Sequence, residues 1–262
     1  MFEVRHRINR VILQVAITVM VIPFVVPLYV MVKVSFSGAG LGNYKAVTEV
    51  PYFLYFFRNS ALIALGVIVI SYVLTMLGAY GFSKLAIKGR EFFFWMIMGA
   101  LTLPEVVLIA PLFPTWSKLG LYDTFWAVII PVAALQVPFT LLLTRTFLDG
   151  IPNDLMEAAR LDGCGSVRTF WNVIVPLARP MAAAIIVLVF INAWNAYLLP
   201  LAFLQNAEHE VVTQLPQYFR SQYSDDQTKQ LAGAVLTALP EVIAYISLQR
   251  FFERGMAAGA IK

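Results

Sequence analysis

Apolar positions in this sequence do not alternate with polar ones. They gather into runs of about 20 residues separated by short polar stretches. The runs extend approximately from Val11 to Val32, Ala61 to Phe82, Phe92 to Phe113, Phe125 to Leu143, Met181 to Leu204 and Leu231 to Phe252. A helix rises about 1.5 Å per residue, so about 20 apolar residues cross a hydrocarbon core of roughly 30 Å, and each run is long enough to do so. Lipid offers backbone amides no partner, and the two-residue alternation of barrel strands is missing, so all six runs are predicted as helices. The expected fold is all-α: a polytopic membrane protein of six transmembrane helices. No connecting segment is long enough to form a second domain, and residues 1–262 are read as one transmembrane domain.

Composition agrees with the pattern. Hydrophobic residues make up 60% of the chain and charged residues 13%, with a mean hydropathy of +0.77, against roughly a quarter charged in soluble domains. With six spans, both termini lie on one side of the membrane. That side receives Arg5, Arg7, Arg10, Lys84, Lys88, Arg90, Arg145, Arg160, Arg168, Arg179, Arg250, Arg254 and Lys262, which is 13 of the 19 basic residues. Basic flanks are retained on the cytoplasmic side, so both termini are expected there. The net charge of +4 then follows from cytoplasmic loops and needs no nucleic-acid partner. The first run, behind Arg5, Arg7 and Arg10, is longer than the roughly 7–15 residues of a signal-peptide core and reads as a retained span.

Little conventional chemistry is available. The lone Cys164 excludes internal disulfides and cysteine metal clusters. His6 and His209 fall on opposite sides of the membrane, cannot share a metal, and read as solvated loop residues. No nucleophile with a nearby base stands out, which argues against a membrane enzyme.

Three polar segments remain. The outer segment from Lys33 to Asn59 carries Tyr52, Phe53, Tyr55, Phe56 and Phe57, an aromatic group suited to the membrane interface. A second outer segment, Gln205 to Gln230, holds Glu208, Glu210, Asp225 and Asp226 and reads as a solvated loop or a contact for an extracytoplasmic partner. The inner segment, about 145–180, is punctuated as two short helices. Pro152 and the acids Asp154 and Glu157 open one over Asp154 to Asp162, Gly163 to Gly165 break it, and Ser166 caps a second that Pro176 ends. Phe170, Trp171 and Ile174 of the second helix face apolar surroundings. Locked between two spans, this helix-turn-helix is not placed to read DNA. A short helix carrying Ala158 and Ala159 suits a cleft on another protein.

Glu157-Ala158-Ala159, three residues, Gly163, nine residues, then Val173-Ile174-Val175-Pro176 resemble the EAA loop of ABC importer permeases, although that family favours Ile and Leu where Val173 and Val175 stand. The likeness extends through Asn43-Tyr44, Asn59-Ser60, Leu119 to Thr124, Phe190 to Asn195 and Gly255 to Lys262. These segments are most similar to the second permease of carbohydrate importers of the maltose type. The resemblance implies a subunit of a prokaryotic inner-membrane importer that pairs with a homologous permease, two cytoplasmic ATPase subunits and an extracytoplasmic solute-binding protein, with a sugar-type substrate. It also implies that the helix from Asp154 docks on the ATPase as a cytoplasmic coupling helix, with Glu157, Ala158, Ala159 and Gly163 as coupling residues. The tail Gly255 to Lys262 is implied as a second ATPase contact. No G-x-x-x-x-G-K-[ST] loop occurs, so ATP and Mg are expected on the ATPase partner and no cofactor in this chain.

Polar residues inside the runs mark candidate pathway positions, because an amide in lipid is costly unless it meets a partner or lines a cavity. Asn192 and Asn195, three apart, share a helix face, and Trp194 lies between them. Amides and an indole suit a sugar's hydroxyls and apolar ring face, but interhelical hydrogen bonds use the same residues. Gln136, near Pro138, is a weaker position of the same kind. Glu105 and Glu241 each follow a proline, in Leu103-Pro104-Glu105-Val106 and Leu239-Pro240-Glu241-Val242. They read either as the restart of a broken helix or as carboxylates of an ion-gradient secondary transporter, the rival class.

Overall fold

A computed structural model describes residues 7–220 and 226–260, with side chains described over 10–220 and 226–247. Arg5, His6, Asp225 and Lys262 lie outside the described residues, as do the side chains of the tail from Gly255. The fold is all-α. Its helices are α1 (Arg7–Ser35), α2 (Leu41–Thr48), α3 (Phe53–Lys84), α4 (Arg90–Gly99), α5 (Glu105–Leu119), α6 (Trp126–Asp149), α7 (Asp154–Leu161), α8 (Ser166–Leu177), α9 (Arg179–Trp194), α10 (Leu198–Phe203) and α11 (Gln227–Ala260), with a 3-10 helix at Val212–Phe219.

Among the described residues, four helices are long enough and apolar enough to cross a membrane: α1, α3, α6 and the first part of α11, Gln227–Ser247. The other two expected spans are broken. The third bends by 99° between Arg90–Thr102 and α5; the fifth, whose α9 meets the preceding α8 at 76°, is interrupted after Trp194. With each bent pair counted as one span the six expected crossings stand, and the break before Glu105 is the helix restart that Leu103-Pro104-Glu105-Val106 allowed. Pro104 explains the first break, because a residue before proline is pushed out of the α region and Leu103 is extended at φ −81°, ψ 115°. The fifth run, expected as one helix from Met181 to Leu204, stops at Trp194 and resumes as the short α10.

Packing divides the chain into two compact units, residues 1–53 with 215–238 and residues 54–214 with 239–262. In the first, Asn43 donates its amide to Ser35 O at 2.9 Å and Ser37 O at 2.8 Å, and the hydroxyls of Ser35 and Tyr44 meet at 2.6 Å, which ties α2 to the end of α1. Asp226 caps α11, accepting from the Thr228 hydroxyl and the Lys229 backbone N–H. Its hydrogen bonds with Lys229 and Thr228 lower its carboxyl to about 2.

The second unit is organised on α3 and α6. A Cβ added at Gly66 would lie 2.8 Å from Ile129 Cδ1, and one at Gly78 would lie 3.1 Å from Leu141 Cδ1, so small residues let the helices approach. Thr75 and Thr140, both fully buried, join hydroxyls at 2.7 Å between these contacts. Ser83 bonds Asp149 at the far ends. Contacts that advance together along both helices mean that α3 and α6 run parallel, so the bent pair between them carries the chain back. Replacing Thr75 or Thr140 singly by Val should lower the melting temperature in detergent by the equivalent of about 0.6–1 kcal/mol, and the double replacement should cost less than the sum. Strict additivity would show that the hydroxyls do not interact.

Trp116 is buried and donates its indole N–H to Ala127 O at 3.1 Å. That carbonyl would ordinarily accept from residue 131, which is Pro131 and has no N–H. The tryptophan supplies the donor that the proline removes.

Candidate functional site

The inner segment folds as its punctuation predicts over α7. Asp154 and Glu157 occupy the first turn, where acids complement the helix dipole. Its end is a Schellman motif: Gly163 N–H donates to Arg160 O at 3.0 Å and Cys164 N–H to Ala159 O at 2.9 Å, with Gly163 at φ +77°. Only glycine takes that backbone at no cost. The second helix departs from expectation. Ser166 makes no capping hydrogen bond, and Pro176 does not end it, since α8 runs to Leu177. A π-helical turn over Phe170–Ile174 precedes the proline, the kind of widened turn that absorbs irregular backbone. Phe170 and Ile174 are buried as expected, whereas Trp171 is 59% exposed.

The faces of α7 divide the candidate coupling residues. Met156 and Ala159 are buried, while Glu157 and Ala158 are exposed. Ala159, expected beside Ala158 on an outward surface, instead packs inward, where its small side chain lets α7 lie close. The outward face carries Leu155, Ala158 and Leu161 at three-residue spacing, with Leu161 90% exposed and Val167 nearby in sequence at 74%. Leucine held in water is unfavourable by about 25 cal/mol per Å² of apolar area, and this face suits a protein cover.

Both flanks of α7 are anchored to the C-terminal end of α3. Lys84 Nζ donates to Ile151 O at 2.6 Å and to Asn153 Oδ1 at 3.1 Å, ahead of the helix. Tyr80 Oη donates to Ser166 O at 3.1 Å beyond it. A displacement of α7 therefore reaches a membrane span through three hydrogen bonds.

Among the pathway candidates, Asn192 and Asn195 are exposed, and each donates its amide to the carbonyl four residues earlier, Leu188 O and Ile191 O, at 2.9 Å. Their amide oxygens take no hydrogen bond among the described residues. Trp194 turns the other way. It is 5% exposed, its ring lies 5.4 Å from Phe190 and 6.5 Å from Phe57, and it belongs to the core. The grouping of two amides with an indole is thus reduced to the two amides. Gln136 is half-buried in α6, and its backbone carbonyl accepts from Thr140.

The two Leu-Pro-Glu-Val segments also part company. Pro104 is the N-cap of α5 and Glu105 its first residue, as a restarting helix requires, and Glu105 Oε1 is buried with no hydrogen-bond partner among the described residues. At Pro240 the helix continues without a break, and Glu241 is half-buried within it.

The structure adds a clamp at Asp123 that the sequence reading did not single out. Asp123, at φ +58°, accepts from the backbone N–H groups of Gln205 and Asn206 at 2.9 and 3.2 Å and pairs with His209 Nδ1 at 3.2 Å. His209, expected as a solvated loop residue, is half-buried, with its ring 5.3 Å from Phe125. Burial pushes the Asp123 carboxyl up, but the Gln205, Asn206 and His209 hydrogen bonds outweigh it and hold it below its ordinary value of 3.8. Depression in the folded state means that the clamp's contribution is fully present above 3.8 and is lost as pH falls through the lowered value. Hydrogen exchange at Gln205 and Asn206 should accordingly be flat from neutral pH down to that point, once corrected for intrinsic rates, and rise below it. In an Asp123→Ala variant it should be fast at every pH. Unchanged exchange in that variant would remove the clamp from the account.

Residues 76–258 match the family described as the binding-protein-dependent transport system inner membrane component. The arabinooligosaccharides transport system permease protein AraQ of Halalkalibacterium halodurans is 34% identical over 215 residues, 82% of this chain and 76% of that protein. The sn-glycerol-3-phosphate transport system permease protein UgpE of Yersinia enterocolitica is 33% identical over 83% of this chain and 76% of its own. The inner membrane ABC transporter permease protein YcjP of Escherichia coli is 30% identical and is covered over 90% of both chains. In fold, a chain from the crystal structure of a bacterial ABC transporter involved in the import of the acidic polysaccharide alginate superposes with a TM-score of 0.77 at 24% identity, covering 96% of this chain and 99% of that one. The chain therefore belongs to the family of binding-protein-dependent transport system inner membrane components, the multi-pass permeases of ABC transporters.

Proposed function

We propose that this permease serves an ATP-driven importer for a sugar or sugar-like solute and that α7 is its coupling helix. The observation that carries the reading is the outward face of α7, with Glu157, Ala158 and Leu161 exposed on a helix anchored to α3 at both flanks. In this reading the face docks on a cytoplasmic ATPase subunit, and ATPase closure pulls α7 and through it the inner ends of α3 and α6. The chain performs no hydrolysis itself; ATP and Mg are bound by the ATPase. The complete importer holds a homologous second permease, two ATPase subunits and an extracytoplasmic solute-binding protein. Residues 1–262 act as one permease domain with both termini cytoplasmic, surrounded by membrane lipid.

The sugar assignment is supported by the names of the relatives, which include transporters of arabinooligosaccharides and of sn-glycerol 3-phosphate. Asn192 and Asn195 fit it, because amide oxygens without hydrogen bonds accept from hydroxyls. Gln136 is a third amide for the path, while Trp194 supports α9 from within the core.

Purification of the tagged protein from its native membrane in mild detergent, with mass spectrometry of what accompanies it, tests the assembly. A second permease and an ATPase should co-purify. A chain that comes alone and transports in vesicles on a proton gradient would overturn the reading and turn attention to Glu105 and Glu241 as proton carriers.

A further inference from the structure

Behind α7, on the side away from its exposed face, the second unit holds a partly open cavity of about 240 Å³ between α7, the start of α8 and the C-terminal end of α3. Its polar lining is one-sided in charge. Lys84 and Arg160 both reach it, with the hydroxyl-bearing Tyr80, Ser166 and Thr169, and no carboxylate lines it. Neither cation forms an ion pair among the described residues. The Lys84 ammonium is held by two neutral acceptors, Ile151 O and Asn153 Oδ1, with the Asp149 carboxylate, outside the lining, acting on it by charge. Two cations that share a semi-enclosed space repel each other unless an anion enters, and hydroxyls can complete the shell of such a guest. The volume fits a phosphate group with a small substituent.

We propose that this cavity is a binding site for a phosphate group, charge-paired with Lys84 and Arg160. Lys84 closes a membrane span, so the phosphate can belong either to an anionic phospholipid headgroup or to a free cytosolic anion. Basic pockets beside the ends of spans bind anionic headgroups, and the same two cations suit a free phosphate. A phosphate held there joins α3 to α7 by charge, adding to the hydrogen bonds already described, and stiffens the coupling helix against its span. Occupancy then sets how far α7 moves independently. The proposal concerns binding alone and stands whether or not the cargo is a sugar.

Cys164 supplies the test, because it is the chain's one cysteine, is half-buried and lines the cavity. The protein, with the subunits that co-purify, is placed in nanodiscs of neutral phosphatidylcholine or of anionic phosphatidylglycerol. The rate of Cys164 alkylation by N-ethylmaleimide is followed by mass spectrometry of its peptide, with inorganic phosphate titrated at constant ionic strength. In neutral nanodiscs, alkylation should slow with saturation, by about tenfold when about nine sites in ten are filled. Lys84→Gln and Arg160→Gln should each abolish most of that protection. If the anionic nanodiscs are slow without added phosphate and either variant restores the rate, the occupant is a lipid headgroup. If neither phosphate nor phosphatidylglycerol changes the wild-type rate, or protection survives intact in both variants, there is no such site.

Discussion

Replacing Gly163 with arginine should leave the protein in the membrane and reduce ATP-dependent uptake at least about a hundredfold, equivalent to roughly 3 kcal/mol. A Cβ built at Gly163 meets no atom of the described residues within 4 Å. The local cost is the left-handed backbone at φ +77°, about 1–2 kcal/mol for a residue with a Cβ, and a bundle of apolar spans tolerates that. A long cation placed at the end of α7, beside exposed Leu161, instead burdens whatever surface covers that face. Graded variants separate the two effects. Gly163→Asn, which accepts left-handed backbone readily, should transport almost normally. Gly163→Ala should fall slightly lower, and Gly163→Arg should also lose the co-purifying ATPase. If the arginine variant transports at half the normal rate or better, α7 is not the coupling element.

The second large effect is expected on stability. Asn59, fully buried near the start of α3, donates its amide to Glu208 O at 2.7 Å and Glu210 O at 2.9 Å, and its neighbour Ser60 accepts from Val212 N–H at 3.0 Å. Asn59→Leu keeps the branched shape at a larger volume and removes both N–H donors. Two part-buried carbonyls then lose the amide that bonds them, so a net loss of about 1–3 kcal/mol is predicted, read as a lower melting temperature in detergent. Asn59→Asp should recover only part of the loss, because it keeps the Oδ1 acceptor for the Arg58 guanidinium but trades the N–H donors for a charge facing two carbonyl oxygens. A Leu variant that melts with the wild type would mean that the 208–212 segment is held by other contacts.

Six crossings were legible because hydrocarbon imposes a length and an apolarity that any spanning helix must meet. Direction was not. Hydropathy records that Asn192, Trp194 and Asn195 interrupt an apolar run, yet whether an indole points into the core depends on Phe57 and Phe190, of which one lies far away in sequence. The repeated Leu-Pro-Glu-Val makes the point more sharply. The same four residues break the chain at Pro104 and are absorbed within α11 at Pro240, so the surroundings, not the tetrapeptide, decide. His209 read as solvated because its partner Asp123 is 86 positions distant. The turn after α7 was readable in full, since a Schellman end is specified by the glycine within the segment itself.

The exchange between Trp116 and Pro131 has a bearing on how this sequence can change. The indole is needed because the proline took away a donor, so the two positions are not free to drift separately. Losing the tryptophan first strands Ala127 O, whereas restoring an N–H at position 131 first makes the indole dispensable. The order of substitution decides whether the path passes through a damaged protein, and a mutational scan that changes one position at a time will record Trp116 as indispensable when only the pair is.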